Sequence, residues 1–271
     1  MKTLQGLTLI TGSSGFIGSS LLKFEEKQSL SNLLIWNKQT MGSLLDKANR
    51  EEQLGLLKPD RVLHLAWLST KQDNYENSPE NREWGKATIN FAHECVARNI
   101  QFITIGSAVE ETPFKKVGTT LYADAKNEIR TELSLEALVN YISYLKPGFI
   151  FSLEYQRPRL LRDFMSDREN AVKIIKNPHN NEQFIHVDDV VSGLAVILEN
   201  DLRGVIELGG GIHASVSDFI NMSNLNLGSQ IPFPWAAEGF TSVKPNPLLH
   251  SLGWDSNATT KFFSIKAIRQ K

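Results

Sequence analysis

Short apolar runs alternate with stretches in which apolar residues recur every three or four positions, and this rhythm sets in near the start of the chain. Leu7 to Thr11 reads as a strand, a glycine loop follows, and Ile17, Leu21 and Phe24 then fall at helical spacing. Leu33-Leu34-Ile35-Trp36, flanked by polar residues, has the look of a second buried parallel strand. A small strand is expected near Met41 to Leu45. Asp60 to Ala66, introduced by Lys58-Pro59, predicts a further strand. A helix over 79–98, the strand Phe102 to Gly106, a helix over 120–137 and the strand Tyr141 to Lys146 continue the series until Pro147-Gly148 interrupts it.

Strands and helices spaced in this way allow right-handed crossovers onto a parallel sheet. The pattern therefore predicts an α/β fold, a Rossmann-type doubly wound parallel sheet. Beyond residue 150 the rhythm is less regular. Lys176 to Gln183 reads as polar loop, Phe184 to Val187 as a strand that runs into Asp188-Asp189 and a helix, and Val205 to Leu208 as a strand that ends in Gly209-Gly210-Gly211. We expect residues 1–150 with about 184–208 to form the Rossmann domain. Residues 151–183 with 209–271 would then form a smaller, partly discontinuous C-terminal substrate lobe over the open edge of the sheet.

Composition narrows the function classes. The chain has 271 residues, 41% hydrophobic and 22% charged, which is the balance of a globular protein with a large core. Its 29 Lys plus Arg against 30 Asp plus Glu give no overall attraction to nucleic acid or to an anionic membrane, so any anion site is local. The apolar part of MKTLQGLTLI is too short for a signal peptide, and no segment approaches membrane-spanning length. The expectation is a cytoplasmic protein. Cys95, the single cysteine, excludes an internal disulfide, and its neighbours point to core packing. No metal site is called for.

The loop TGSSGFIG, Thr11 to Gly18, lies between a strand and a helix. Glycines there let backbone N–H groups approach a phosphate, and the helix N-terminus carries partial positive charge. The spacing is G-x-x-G-x-x-G, so the phosphate-binding rule applies by its physics and not by literal match. A tight turn is the alternative reading. Tyr122 and Lys126 stand four apart on an expected helix and share one face. An ammonium beside a phenol favours the phenolate, which suits proton exchange during hydride chemistry. Ser107 directly follows an expected strand, at the sheet end where ligands of this architecture bind, though it also reads as a turn or cap serine.

TGSSGFIG, LHLAW at residues 63–67, the serine of IGSAV, the YADAK pentad, FIHVDDV and NPLLHSLGW together resemble the extended short-chain dehydrogenase/reductase superfamily. More narrowly, they resemble the NAD-dependent epimerases and dehydratases that act on nucleotide-activated sugars. The resemblance implies a catalytic Ser107, Tyr122 and Lys126, with Ser107 on the substrate oxygen and Lys126 also on the nicotinamide ribose. It implies cofactor contacts at Gly12, Ser14, Gly15, Phe16, Ile17, Gly18, Asn37, Lys38, Leu65 and Ala66. Homodimers are common among such relatives. Relatives that dehydrate carry an acidic pair directly after the Ser/Thr, whereas Ala108-Val109 stand here and Glu110-Glu111 are expected to face away. Reduction or epimerisation remains.

At the end of the second strand, NAD-preferring relatives carry an aspartate for the ribose hydroxyls, but this chain has Trp36-Asn37-Lys38. Lys38 suits a 2′-phosphate, which favours NADP over NAD, and a solvated loop lysine is the alternative. Arg157 and Arg159, with Arg162 behind them, suit the phosphates of a substrate or else form a solvated basic helix start. Gln183 stands where relatives often carry arginine. His186 is expected to be structural, with Asp188 and Asp189 capping the helix that follows. The leading expectation is an NAD(P)-dependent reductase of a keto group on a nucleotide-linked deoxysugar. A nucleotide-sugar epimerase with tightly held NAD and a non-catalytic dinucleotide-binding regulator are the alternatives.

Overall fold

A computed structural model of the chain describes residues 6–28, 32–68, 75–110, 120–152, 179–226 and 240–264. The first half alternates strands and helices in the order β1 (Thr8–Thr11), α1 (Phe16–Gln28), β2 (Leu33–Ile35), α2 (Lys38–Met41), α3 (Lys47–Leu57), β3 (Arg61–His64), α4 (Glu80–Val96), β4 (Gln101–Ile105), α5 (Leu121–Leu133) and β5 (Ile142–Lys146). β6 (Phe149–Phe151), β7 (Asn181–His186), α6 (Val187–Asn200), β8 (Gly204–Glu207), β9 (Ile212–Ser215), α7 (Val216–Asn226), β10 (Phe240–Ser242), α8 (Pro247–Ser251) and α9 (Asn257–Ser264) follow. Six strands form a parallel sheet in the order β2-β1-β3-β4-β5-β8. The order reverses between β1 and β3, and in open sheets of this kind the crevice at the carboxyl ends of the strands flanking such a reversal is where ligands bind.

β1, β3 and β4 are central strands with helices against them, so nearly every residue is buried, the polar Thr8, Thr11, His64, Gln101 and Thr104 along with the apolar ones. β2 differs from its expectation as a buried strand. Among the described residues it pairs with β1 alone, at the edge of the sheet, and Ile35 is 41% exposed. No strand forms at Met41 to Leu45. Asn37 caps the short helix α2 there, accepting from the Gln39 N–H at 2.8 Å, and a turn leads to α3, which Asp46 caps in the same way. The hydrophobic pattern misses α3 because one of its two buried residues is charged. Arg50 lies 1% exposed and forms a two-bonded ion pair with Glu94 of α4, at 2.8 and 2.7 Å, beside the buried Leu54.

α4 buries Asn81, Gly85, Thr88, Phe91, Ala92 and Cys95 at helical spacing, and α5 buries Ala125, Lys126, Ile129 and Leu133. Phe91, Phe102, Trp36, Leu9, Val62, Ile129 and Tyr144 meet in one apolar cluster with Cys95, whose thiol burial holds above its ordinary pKa and so protonated. A Cβ on Gly85 would lie 3.2 Å from that of Ala125, so the two helices pack closely.

The chain divides by contact into Met1–Lys146 with Leu194–Glu207 and Pro147–Gly193 with Leu208–Lys271. The second unit holds a separate sheet in the order β10-β9-β7-β6, in which β6 and β7 are parallel and the other pairs antiparallel. β7 begins in Asn181-Glu182-Gln183, which read as loop because side chains this polar carry no strand signature. It and the first part of α6 fall in the second unit, whereas the sequence pattern set 184–208 with the first. The core here is aromatic: the Phe184 and Phe219 rings stack at 3.8 Å, with Phe151, Ile212 and Phe263 around them. Asp189 does not cap its own helix. Its carboxylate accepts from the Ala258 and Thr259 N–H groups at 2.8 and 2.7 Å, and so caps α9. His186 packs its ring against Phe151 at 5.2 Å. The Gln183 side chain donates to the Gly210 carbonyl at 2.9 Å.

Candidate functional site

The loop between β1 and α1 is shaped by what a side chain would collide with. Gly12 has φ +72°, and a Cβ there would stand 2.5 Å from the Ala66 nitrogen, so the glycine lets the loop lie against the backbone that leaves β3. Gly18, in the first turn of α1, would drive a Cβ into the Gly12 carbonyl oxygen and the Ser13 backbone. Gly15 is less crowded, with the Gly12 oxygen 3.1 Å from its would-be Cβ. Thr11 ties the two strand ends together. Its backbone oxygen accepts from the Leu65 N–H at 3.1 Å, and its hydroxyl accepts from the Ala66 N–H at 3.3 Å and meets His64 Nδ1 at 2.8 Å. The other nitrogen of His64 lies 3.1 Å from the Thr88 hydroxyl. Burial first, then the charges of Lys126 and Arg50, lower the His64 pKa to about 3, so the ring is a neutral strut.

This loop fits a dinucleotide pyrophosphate. Gly12, Gly15 and Gly18 bring backbone close to the start of α1, whose first-turn N–H groups lack helical acceptors and whose first turn holds no acidic residue. Ser14 is exposed, Ile17 half-buried and Phe16 buried at the helix start. Beyond β2, Trp36 is buried and donates to the Gly42 carbonyl at 3.1 Å, while Asn37 and Lys38 are exposed. The Asn37 side-chain oxygen is committed to capping α2.

Three further residues belong to the end of β4 and the helix beside it. Lys126 lies on the core-facing stripe of α5 and is 8% exposed. Its Nζ donates to the carbonyl of Ile105, the last residue of β4, at 3.2 Å, and sits over the Trp67 ring at 4.1 Å. Ser107 is two residues beyond Ile105, and Tyr122 is one turn before Lys126, with its ring 5.9 Å from the ammonium. The Tyr122 ring meets those of Trp67 and Tyr75 edge to face, at 5.9 and 5.8 Å. Burial pushes the Lys126 ammonium down to about 8, against the opposing charge of Glu110. The arrangement sets a hydroxyl, a phenol and a tunable cation at one strand end, which is the equipment for moving a proton to or from an oxygen atom.

Two residues of this end escaped the sequence reading. Trp67 follows the Leu65-Ala66 turn, and its indole N–H donates to Asn81 at 3.0 Å, which orients the ring beneath Lys126. Glu110 does not face away: it is 1% exposed and turned under Ser107, accepting from the Ser107 N–H at 2.6 Å and the Tyr144 hydroxyl at 2.7 Å. Thus committed and buried, it is not presented for removing water from a substrate. Arg157, Arg159 and Arg162, as well as Glu111, lie outside the described residues. Among the described residues, no helix is long and apolar enough to cross a membrane.

A parallel sheet with a glycine cradle at its switch point, and a serine, tyrosine and lysine near a neighbouring strand end, is the arrangement that the resemblance to the extended short-chain dehydrogenase/reductase superfamily implies. Residues 8–127, which carry the glycine loop, Ser107, Tyr122 and Lys126, match the model of the NAD dependent epimerase/dehydratase family. No curated protein matches the chain in sequence. Its fold is similar to that of MlghC, the GDP-mannoheptose C4 reductase of Campylobacter jejuni with NADP bound, at 17% identity and a TM-score of 0.72 over 97% of this chain and 98% of that one. It is similar as well to a GDP-6-OMe-4-keto-L-xylo-heptose reductase from C. jejuni, at 16% identity and a TM-score of 0.71 over 100% and 99%. The Thermus thermophilus UDP-glucose 4-epimerase in complex with NAD follows at 18% identity and a TM-score of 0.67 over 95% and 98%.

Proposed function

We propose that the protein is an NAD(P)-dependent oxidoreductase that reduces a keto group on a nucleotide-activated sugar. The observation that supports this reading is Lys126, anchored to the end of β4 by the Ile105 carbonyl two residues before Ser107 and 5.9 Å from the Tyr122 ring. A reduced nicotinamide, when bound, would supply the hydride for the carbonyl carbon. The chain's own part is the proton: Ser107 Oγ holds the carbonyl oxygen, Tyr122 gives it the phenolic proton, and the Lys126 ammonium stabilises the phenolate that remains. Addition of one hydride and one proton turns the ketone into an alcohol. Gly12, Ser14, Gly15, Phe16, Ile17 and Gly18 hold the pyrophosphate, and Leu65 and Ala66 line the far side of the switch point. Arg157 and Arg159 serve the phosphates of the substrate.

The missing carboxylate after β2 supports NADP(H). Asn37 is committed to its cap, and Lys38 is the cation presented at that place. The test is to incubate the purified protein with NADPH and a GDP-linked keto sugar and to follow the loss of reduced-nicotinamide absorbance. Substrate-dependent consumption is expected. Tightly retained NAD released on denaturation, with no consumption of NADPH, overturns the reductase reading in favour of an epimerase.

A further inference from the structure

Glu110 is a buried acid that the reaction above does not use. Its N–H donates to the Ser107 carbonyl at 3.1 Å while its carboxylate accepts from the Ser107 N–H at 2.6 Å, so the two residues clamp the turn 107–110 from both sides. From β5 the Tyr144 hydroxyl reaches the same oxygen, Oε1, at 2.7 Å. Oε2 has no hydrogen-bond partner among the described residues. Both oxygens lie against Gly106, where a Cβ would stand 2.8 Å from each, so the glycine at the strand end makes room for the acid. The Lys126 ammonium holds the carbonyl of Ile105, the residue before that glycine. The carboxylate and the ammonium are therefore set at adjacent residues of the same strand end, and a buried carboxylate stays ionised only where positive charge offsets its lost hydration.

We infer that Glu110 is a positioning residue of the reacting end, one that fixes the Ser107 turn and supplies the fixed negative charge that keeps the Lys126 ammonium protonated. The groups that face this pair are Tyr144 and Lys146 from β5, Tyr122 from α5 and the neutral His64 from β3. Burial raises the pKa of Glu110 and lowers that of Lys126, and each of the two opposes the shift of the other. The inference rests on Lys126 acting as the partner of Tyr122, but its readout is the lysine itself, so it can fail while the reductase reading stands.

The experiment is NMR titration of the Lys126 ε-carbon in cofactor-free protein, wild type against Glu110→Gln, which keeps an acceptor for Ser107 and Tyr144 but removes the charge. The wild-type midpoint is expected near 8, and in the variant it falls by about one pH unit or more. Tyr144→Phe, which removes a hydrogen bond and leaves the charge, is expected to leave the midpoint within a few tenths of a unit. An unchanged midpoint in Glu110→Gln, or an equal fall in both variants, overturns the assignment. If Glu110→Gln does not fold, the wild-type curve decides: Lys126 shows a second inflection at acid pH as Glu110 takes up its proton, and a single-step curve sinks the proposal.

Discussion

The glycine loop after β1 and the Ser107 turn after β4 end two strands of one sheet, yet they meet opposite physical demands. The loop is made of backbone. Its shape depends on the absence of side-chain volume at Gly12 and Gly18, and the charge it offers is the partial charge of a helix end. The turn is made of side chains, with Lys126 and Glu110 both held out of water, so that burial shifts the ionisation of each. A methyl group at Gly12 or Gly18 would collide with neighbouring backbone.

Tyr122→Phe probes the second end with the largest effect. The substitution keeps the ring contacts with Trp67 and Tyr75 and removes the proton, so turnover is expected to fall by about 10²–10⁴ while the melting temperature and NADPH binding stay unchanged. Unchanged turnover would show that the proton comes from elsewhere. Gly12→Ala probes the first end. At φ +72° and 2.5 Å from the Ala66 nitrogen, a methyl group is strained and has no room. A loss of about 2–3 kcal/mol in denaturant unfolding is expected, together with loss of dinucleotide binding by fluorescence titration. Gly12→Ala protein that melts like wild type would break the claim that backbone contact shapes the loop.

The two ends differed as much in how legibly they were written. The glycine loop, β1, β3, β4 and β5 were readable because local pattern and final burial agree: apolar runs fill the central strands and the glycines stand where backbone must pass backbone. Tyr122 and Lys126 were readable through their spacing on one helix face. Glu110 was not, because its partner Tyr144 lies 34 residues away and an acid after a turn looks solvated until the fold folds it inward. Helix α3 was hidden for a related reason. Its inward face carries Arg50, whose pairing with Glu94 44 residues on replaces the apolar signal that periodicity detects. In the second unit, β7 opens in polar residues because its role is set by pairing with β9, a long-range fact.

Charge at the reacting end also has a signature in stability. The Lys126 pKa is about 8 in the folded chain against 10.5 for the free side chain. Between those values the unfolded state binds a proton that the folded state has lost, so unfolding free energy rises with pH over that window. Below about 8 both states are protonated and the burial penalty on the ammonium is fully present. Comparison of cofactor-free wild type with Lys126→Met across this window isolates the effect: wild type is expected to gain on the variant from pH 8 to 10.5 and to run parallel to it below. Parallel curves throughout would mean that the lysine is less buried than the geometry requires. In turnover the same ionisation acts the other way, because loss of the ammonium above about 8 leaves the Tyr122 phenolate unsupported.

The smallest change tests whether it is crowding, and not the residue type, that makes the loop glycines necessary. Gly55 lies inside α3 with nothing within 4 Å of its would-be Cβ. Its backbone is helical, so Gly55→Ala adds no strain and removes conformational freedom from the unfolded chain. A gain of about 0.5–1 kcal/mol is expected, read as a higher denaturant midpoint at unchanged slope. The same substitution thus has opposite signs at Gly12 and Gly55, two glycines of one unit, and the sign is set by the backbone angle and the distance to the nearest backbone together. If Gly55→Ala were as damaging as Gly12→Ala, the loss at Gly12 would reflect a general intolerance of the unit to substitution. The collision with Ala66 would then explain nothing particular to the cradle.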